Sequence, residues 1–165
     1  IQENLPRVIS NPDDLEARGF VQLGASHAGA AIERSMLGAA HSMANPLTAR
    51  LGTVHGTAVG LALPAVMEFN AMDEETRSVY AELARNAQLA DPQQEDVSAS
   101  SCLIERVRAI LRLASFPTSL SALGFSEKDL DSLAKDASDQ WTANFNPRPV
   151  HETDFKNLYA GLLHA

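Results

Sequence analysis

Apolar positions recur along this chain at helical rather than alternating spacing. A polar punctuation mark stands at Asn11-Pro12-Asp13-Asp14, where Asn11 is placed to cap and Pro12 suits a first helical position. Beyond it, Leu15, Phe20, Leu23, Ala30, Ile32, Met36, Leu37 and Ala40 predict one long helix running towards Ala44. Ala and Gly fill nearly every side of it from Ala25 onwards, which predicts burial all round. Asn45-Pro46 is expected to end it, because the residue before a proline is pushed out of helical geometry. Residues 48–54 then read as a loop, and a second buried helix is predicted from His55-Gly56 to about Asn70, kinked at Pro64. Asp73-Glu74-Glu75 put negative charge at the start of a third helix over 76–90, with an inner face of Val79, Tyr80, Leu83, Ala84 and Ala87. Residues 91–96 form a polar loop before a fourth helix, 98–113, which turns Leu103, Val107, Ile110 and Leu111 inwards. Pro117 breaks the chain. Ser126-Glu127-Lys128-Asp129 then starts a helix reaching about Asp139, 144–150 is a proline-stiffened connector, and His151-Glu152-Thr153-Asp154 opens a last helix over 155–163.

No segment alternates like a strand, no glycine-rich nucleotide loop follows a strand, and no internal repeat is visible. The expected fold is an all-α helical bundle in one domain, 1–165. Composition agrees: 45% of residues are hydrophobic but only 5% are aromatic, and abundant alanine favours closely packed helices over a β-sandwich. The net charge of −8 repels phosphate backbones and argues against nucleic acid as a partner. No basic block suits an anionic membrane, and the longest apolar run, 59–67, is too short for a bilayer and contains Pro64. The single cysteine, Cys102, excludes an intrachain disulfide and suits a cytoplasmic location. The chain opens with Ile1 rather than Met, and 1–5 already reads as helix without a cap, which suggests a piece of a longer protein.

Two histidines stand out for their setting. His41, in Ala39-Ala40-His41-Ser42-Met43-Ala44, and His55, in Val54-His55-Gly56, lie fourteen positions apart among small apolar residues. Consecutive helices joined by a short loop usually pack antiparallel, so the imidazoles can meet across the helix ends. Spacing alone leaves two readings open. They are hydrogen-bonded core histidines, or they are ligands of a transition metal.

These motifs resemble the iron-dependent (group III) alcohol dehydrogenases. His41 within Ala-Ala-His-Ser-Met-Ala-Asn-Pro-Leu and His55 within Val-His-Gly look like that family's two histidine ligands in its C-terminal half. Leu63-Pro64, Phe69-Asn70, Pro117, 120–124 and Asn146-Pro147-Arg148 follow the family's closing pattern, so the resemblance covers nearly the whole chain. It implies the C-terminal helical domain of the dehydroquinate synthase-like fold. It also implies Fe(2+), or Zn(2+), held by His41 and His55 together with an aspartate and a third histidine that precede this region. NAD(P) would be bound mainly by an N-terminal domain that, like the start of the helical domain, is absent here. The implied chemistry is hydride transfer between an alcohol or aldehyde and NAD(P), the metal acting as a Lewis acid on the substrate oxygen. Many members carry a histidine four residues after the first ligand. Here that position is Asn45, which can hydrogen-bond but cannot titrate near neutrality, so it is a candidate for the cofactor pocket and equally a helix-ending residue before Pro46.

The remaining candidates have plainer readings. His27 suits helix packing, His151 and His164 suit solvent, Cys102 reads as a buried inert thiol, and the acidic clusters read as solvated helix starts. Rival functions are a related enzyme, of glycerol dehydrogenase, maleylacetate reductase or dehydroquinate synthase type, and a non-catalytic helical scaffold. The fragment by itself is expected to be inactive. It is also expected to self-associate as a homo-oligomer through the His41–His55 face, around Ile32, Met36 and Met43, where the N-terminal domain would sit.

Overall fold

In the computed structural model, which describes residues 1–164, the chain begins with a short helix α1 (Asn4–Ser10) followed by the longest one, α2 (Leu15–Ser35). Asp14, rather than Asn11, caps α2: its carboxylate accepts from the Ala17 amide at 2.9 Å, and Arg7 bridges Asp14 and Glu16. Then come α3 (Ala39–Leu51), α4 (His55–Asn70), α5 (Glu74–Asn86), α6 (Asp96–Leu113), α7 (Leu130–Ser138) and α8 (Glu152–Leu162), with 3₁₀ turns at Ser121–Leu123, Glu127–Asp129 and Trp141–Phe145. The fold is all-α, with no strand among the described residues, and no described helix is long and apolar enough to cross a membrane.

The principal core lies among α3, α4, α7 and α8, where Met43, Leu47, Leu61, Val66, Leu133, Phe155 and Tyr159 pack with Leu120 and Phe125 from the intervening loop. That loop is tied down at the end of α8, because Leu120 and Ser121 donate their amides to the carbonyls of Leu162 and Leu163. A smaller cluster, Ala81, Ala84 and Ala99, joins α5 to α6. Reciprocal capping boxes open the last two helical stretches, Ser126 with Asp129 and His151 with Asp154.

Four expectations are corrected. The long helix towards Ala44 is two helices: Met36 leaves α2 with φ of 69°, and Gly38 is the extended N-cap of α3. Asn45-Pro46 does not end α3, which continues to Leu51, so the loop shrinks from 48–54 to 52–54 and ends the helix at left-handed Gly52. Pro46 removes the amide that would bond the Ser42 carbonyl and loosens the turn beneath it. The buried Tyr159 hydroxyl answers by donating to the adjacent Met43 carbonyl at 2.7 Å. Third, α2 is not buried. Ala17 is its one buried residue, and Phe20, Leu23, Ile32 and Met36 are exposed. Fourth, α5 buries Thr76, Ala81 and Ala84 and half-buries Tyr80 and Ala87, but Val79 and Leu83, expected on its inner face, are half exposed.

Candidate metal centre

His41 is the third residue of α3 and His55 the first of α4, so each occupies the opening turn of its helix. The structure brings them together: their ring centroids are 5.3 Å apart, with the planes inclined by 50°. His41 is half-buried and His55 exposed, which puts the pair at the edge of the main core. Burial of the His41 ring, and then the proximity of His55, lower its pKa from the ordinary histidine value. His41 is thereby held neutral, the form that ligates a metal.

The spacing tests the donor set. With a metal–nitrogen bond of about 2.05 Å and a ring radius of about 1.2 Å, two imidazoles at a tetrahedral angle hold their centroids about 5.3 Å apart. The observed separation of 5.3 Å leaves room for one ion between the two rings. Among the described residues, no group of three or more His, Cys, Asp or Glu side chains gathers at one point. As ligands, the pair would supply two positions of a larger sphere, and the described residues offer no third at the same point.

Asn45 lies one turn after His41 and is half-buried. Its Nδ2 donates to Gln140 Oε1 at 2.8 Å, leaving Oδ1 as the atom available to a ligand. His27 is exposed on α2, His151 and His164 are exposed, and half-buried Cys102 lies within α6 with Gln94 Nε2 at 3.5 Å from its sulfur. Met43 is fully buried in the core, so it cannot contribute to an association surface. A cavity of ≈740 Å³ lies elsewhere, between α4, α6, α8 and Phe116, and neither candidate ligand lines it. There Arg108 pairs with Glu68 and Arg148 stacks 3.9 Å over the Phe69 ring.

Three residues about a hundred positions downstream, Gln140, Thr142 and Asn146, reach the helix that carries His41. The sequence reading did not find them. The resemblance marked Asn146-Pro147-Arg148 only as part of a closing pattern, and no local spacing connects a polar loop residue with a helix so far away.

Comparison with known proteins adds an independent line. The sequence profile described as "Fe-containing alcohol dehydrogenase family, C-terminal" matches residues 1–163. The NAD-dependent methanol dehydrogenase of Bacillus methanolicus is 28% identical over 169 residues, which is 99% of this chain and 42% of that protein. The lactaldehyde reductase of Escherichia coli strain K12 is 32% identical over 146 residues, 88% of this chain and 38% of that one. A crystal structure of a 1,3-propanediol oxidoreductase superposes with a TM-score of 0.92 over 98% of this chain and 42% of its own, at 23% identity, a likeness of fold. The chain spans less than half the length of each of these relatives.

Proposed function

This chain belongs to the Fe-containing alcohol dehydrogenase family and matches its C-terminal region, and on that premise we propose that it is the metal-holding half of an NAD(P)-linked alcohol oxidoreductase. The carrying observation is the His41–His55 pair, with its 5.3 Å centroid separation. A divalent ion, Fe(2+) or Zn(2+), would be held by these two imidazoles with further ligands from outside the described chain, and when bound it supplies Lewis acidity toward the substrate oxygen. His41 and His55 serve as ligands and do not shuttle protons. Asn45 Oδ1, one turn along α3, offers a hydrogen-bond acceptor to the cofactor or substrate and no titratable proton. Relatives acting on methanol and lactaldehyde favour a small alcohol or aldehyde as substrate. They also favour the alcohol dehydrogenase branch over the wider superfamily.

Hydride transfer needs a nicotinamide site, and no glycine-rich loop of that kind exists in this sequence. A further domain would bind the NAD(P), in a cytoplasm reducing enough to keep Cys102 a thiol. The same domain would cover α2, whose Phe20, Leu23, Ile32 and Met36 face solvent. Without it, the chain is expected to self-associate through this helix, and Met36→Lys should shift sedimentation towards monomer. The functional test combines two assays. Fe(II) or Zn(II) should bind weakly by calorimetry and lose binding in His41→Ala, while the chain alone should not reduce NAD(P) with alcohols. Binding that survives His41→Ala, or turnover by the chain alone, would contradict the reading.

A further inference from the structure

We infer that residues 140–146 form a splint that positions His41, with Asn146, which accepts from the Ala39 amide two residues before that histidine, as the principal positioning residue. The inference rests on the metal reading proposed above and goes beyond it. Three hydrogen bonds join this segment to α3. The Ala39 amide donates to Asn146 Oδ1 at 3.2 Å. Ser42 Oγ and Thr142 Oγ1 share a buried hydrogen bond of 2.8 Å. Asn45 Nδ2 donates to Gln140 Oε1 at 2.8 Å. On α3 the rungs fall at 39, 42 and 45, every third residue and so along one stripe of the helix. On the splint they fall at 146, 142 and 140, in the opposite order. His41 sits between the first two rungs.

Asn146 is itself fixed. Its Nδ2 donates to Asn70 Oδ1 and to the Arg148 carbonyl, both at 2.7 Å, and Asn70 Nδ2 returns a bond to Asn146 Oδ1 at 3.3 Å. Asn70 ends α4, the helix that His55 begins, so one side-chain amide links the opening turn of α3 to the far end of α4. The approach is close because residue 38 is glycine: a Cβ there would lie 3.0 Å from Asn146 Oδ1. Ser42, Thr142 and Asn70 are all buried. A satisfied buried polar network of this kind specifies geometry more than it adds stability. Metal ligation demands that geometry, since ligand distances must fall within about 0.2 Å of their ideal values. Any slide of the first turn of α3 moves the His41 imidazole with it.

The test is Zn(II) titration of the full chain by calorimetry, read beside the emission of Trp141, the chain's single tryptophan, which lies between the Gln140 and Thr142 rungs. Asn146→Ala should weaken Zn(II) binding about tenfold or more. Leu162→Ala, a core change on α8 away from the splint, should lower stability and keep the affinity. Should Asn146→Ala fail to fold, Ser42→Ala/Thr142→Val decides. It removes both partners of the middle rung, so little stability is lost, and its affinity should fall between those of wild type and Asn146→Ala. Zn(II) should change Trp141 emission in wild type but not in the double variant. Wild-type affinity in the folded splint variants, with His41→Ala binding nothing, would overturn the splint and leave the metal reading standing. Unchanged binding in His41→Ala would overturn the metal reading itself.

Discussion

α2 and α3 are built from nearly the same residue types and end in opposite surroundings. Both are rich in alanine, both carry apolar side chains on several sides, and each holds a histidine, His27 and His41, fourteen positions apart. In α2 Ala17 alone is buried, whereas in α3 seven residues, from Ala39 to Leu47, are. Small side chains permit close packing without choosing a partner. α3 acquires partners on several sides: α4, α7, the Tyr159 hydroxyl on its Met43 carbonyl and the three rungs from 140–146. α2 rests on α1, and its apolar side chains are left to solvent.

The same truncation placed in both helices should give the widest contrast. Leu47→Ala, at 1% exposure in the core, should cost about 2–5 kcal/mol in chemical denaturation. Leu23→Ala on α2, 53% exposed, should stay within about 0.5 kcal/mol. A large effect at Leu23 would mean that α2 is packed in solution, through self-association or a different fold.

Next in size is Tyr159→Phe. It strips the donor from the Met43 carbonyl in the turn opened by Pro46, and should cost about 1–3 kcal/mol. Burial also pushes the Tyr159 hydroxyl far up in pKa, so it remains a donor across the accessible pH range. A neutral result would show that α3 crosses Pro46 without this bond.

A smaller effect sets His41 apart from the rest of α3 by pH. His41's folded pKa lies below its ordinary 6.5, from burial first and His55 second. The unfolded chain therefore takes up the proton more readily, and stability falls as pH drops through the ordinary value towards the folded one. His41→Gln should flatten that loss, read by chemical denaturation above and below the ordinary histidine value. A loss of the same steepness in His41→Gln would contradict burial of this ring as its cause.

Much of this organisation was legible in the residues. Helical periodicity and the absence of alternation marked the all-α fold, the α4 bounds of 55–70 followed from flanking signals, and Ser126 and His151 marked where their helical stretches open. The α2–α3 break was not legible. Met36 and Leu37 continue the apolar pattern, and Gly38 alone marks the turn. Pro46 also misled, because the compensating donor, Tyr159, lies 116 residues from Met43. The histidine pair stood out by its setting and family motif, yet spacing could not distinguish ligands from core residues. Gln140 and Thr142 went unmarked, and Asn146 was marked without its role, for a further reason: their bonds span 95–107 residues, beyond the reach of any local period.

The central claim is that His41 and His55 share one divalent ion. X-ray absorption on the Zn(II)-loaded chain tests it most directly, because it counts the ligands and reads their distances. Two histidine nitrogens at about 2.0–2.1 Å, the other positions filled by oxygen, are expected, with the imidazole signature falling to that of one ring or none in His55→Ala. An oxygen-only shell in the wild-type chain, or an imidazole signature unchanged by removing His55, would contradict it.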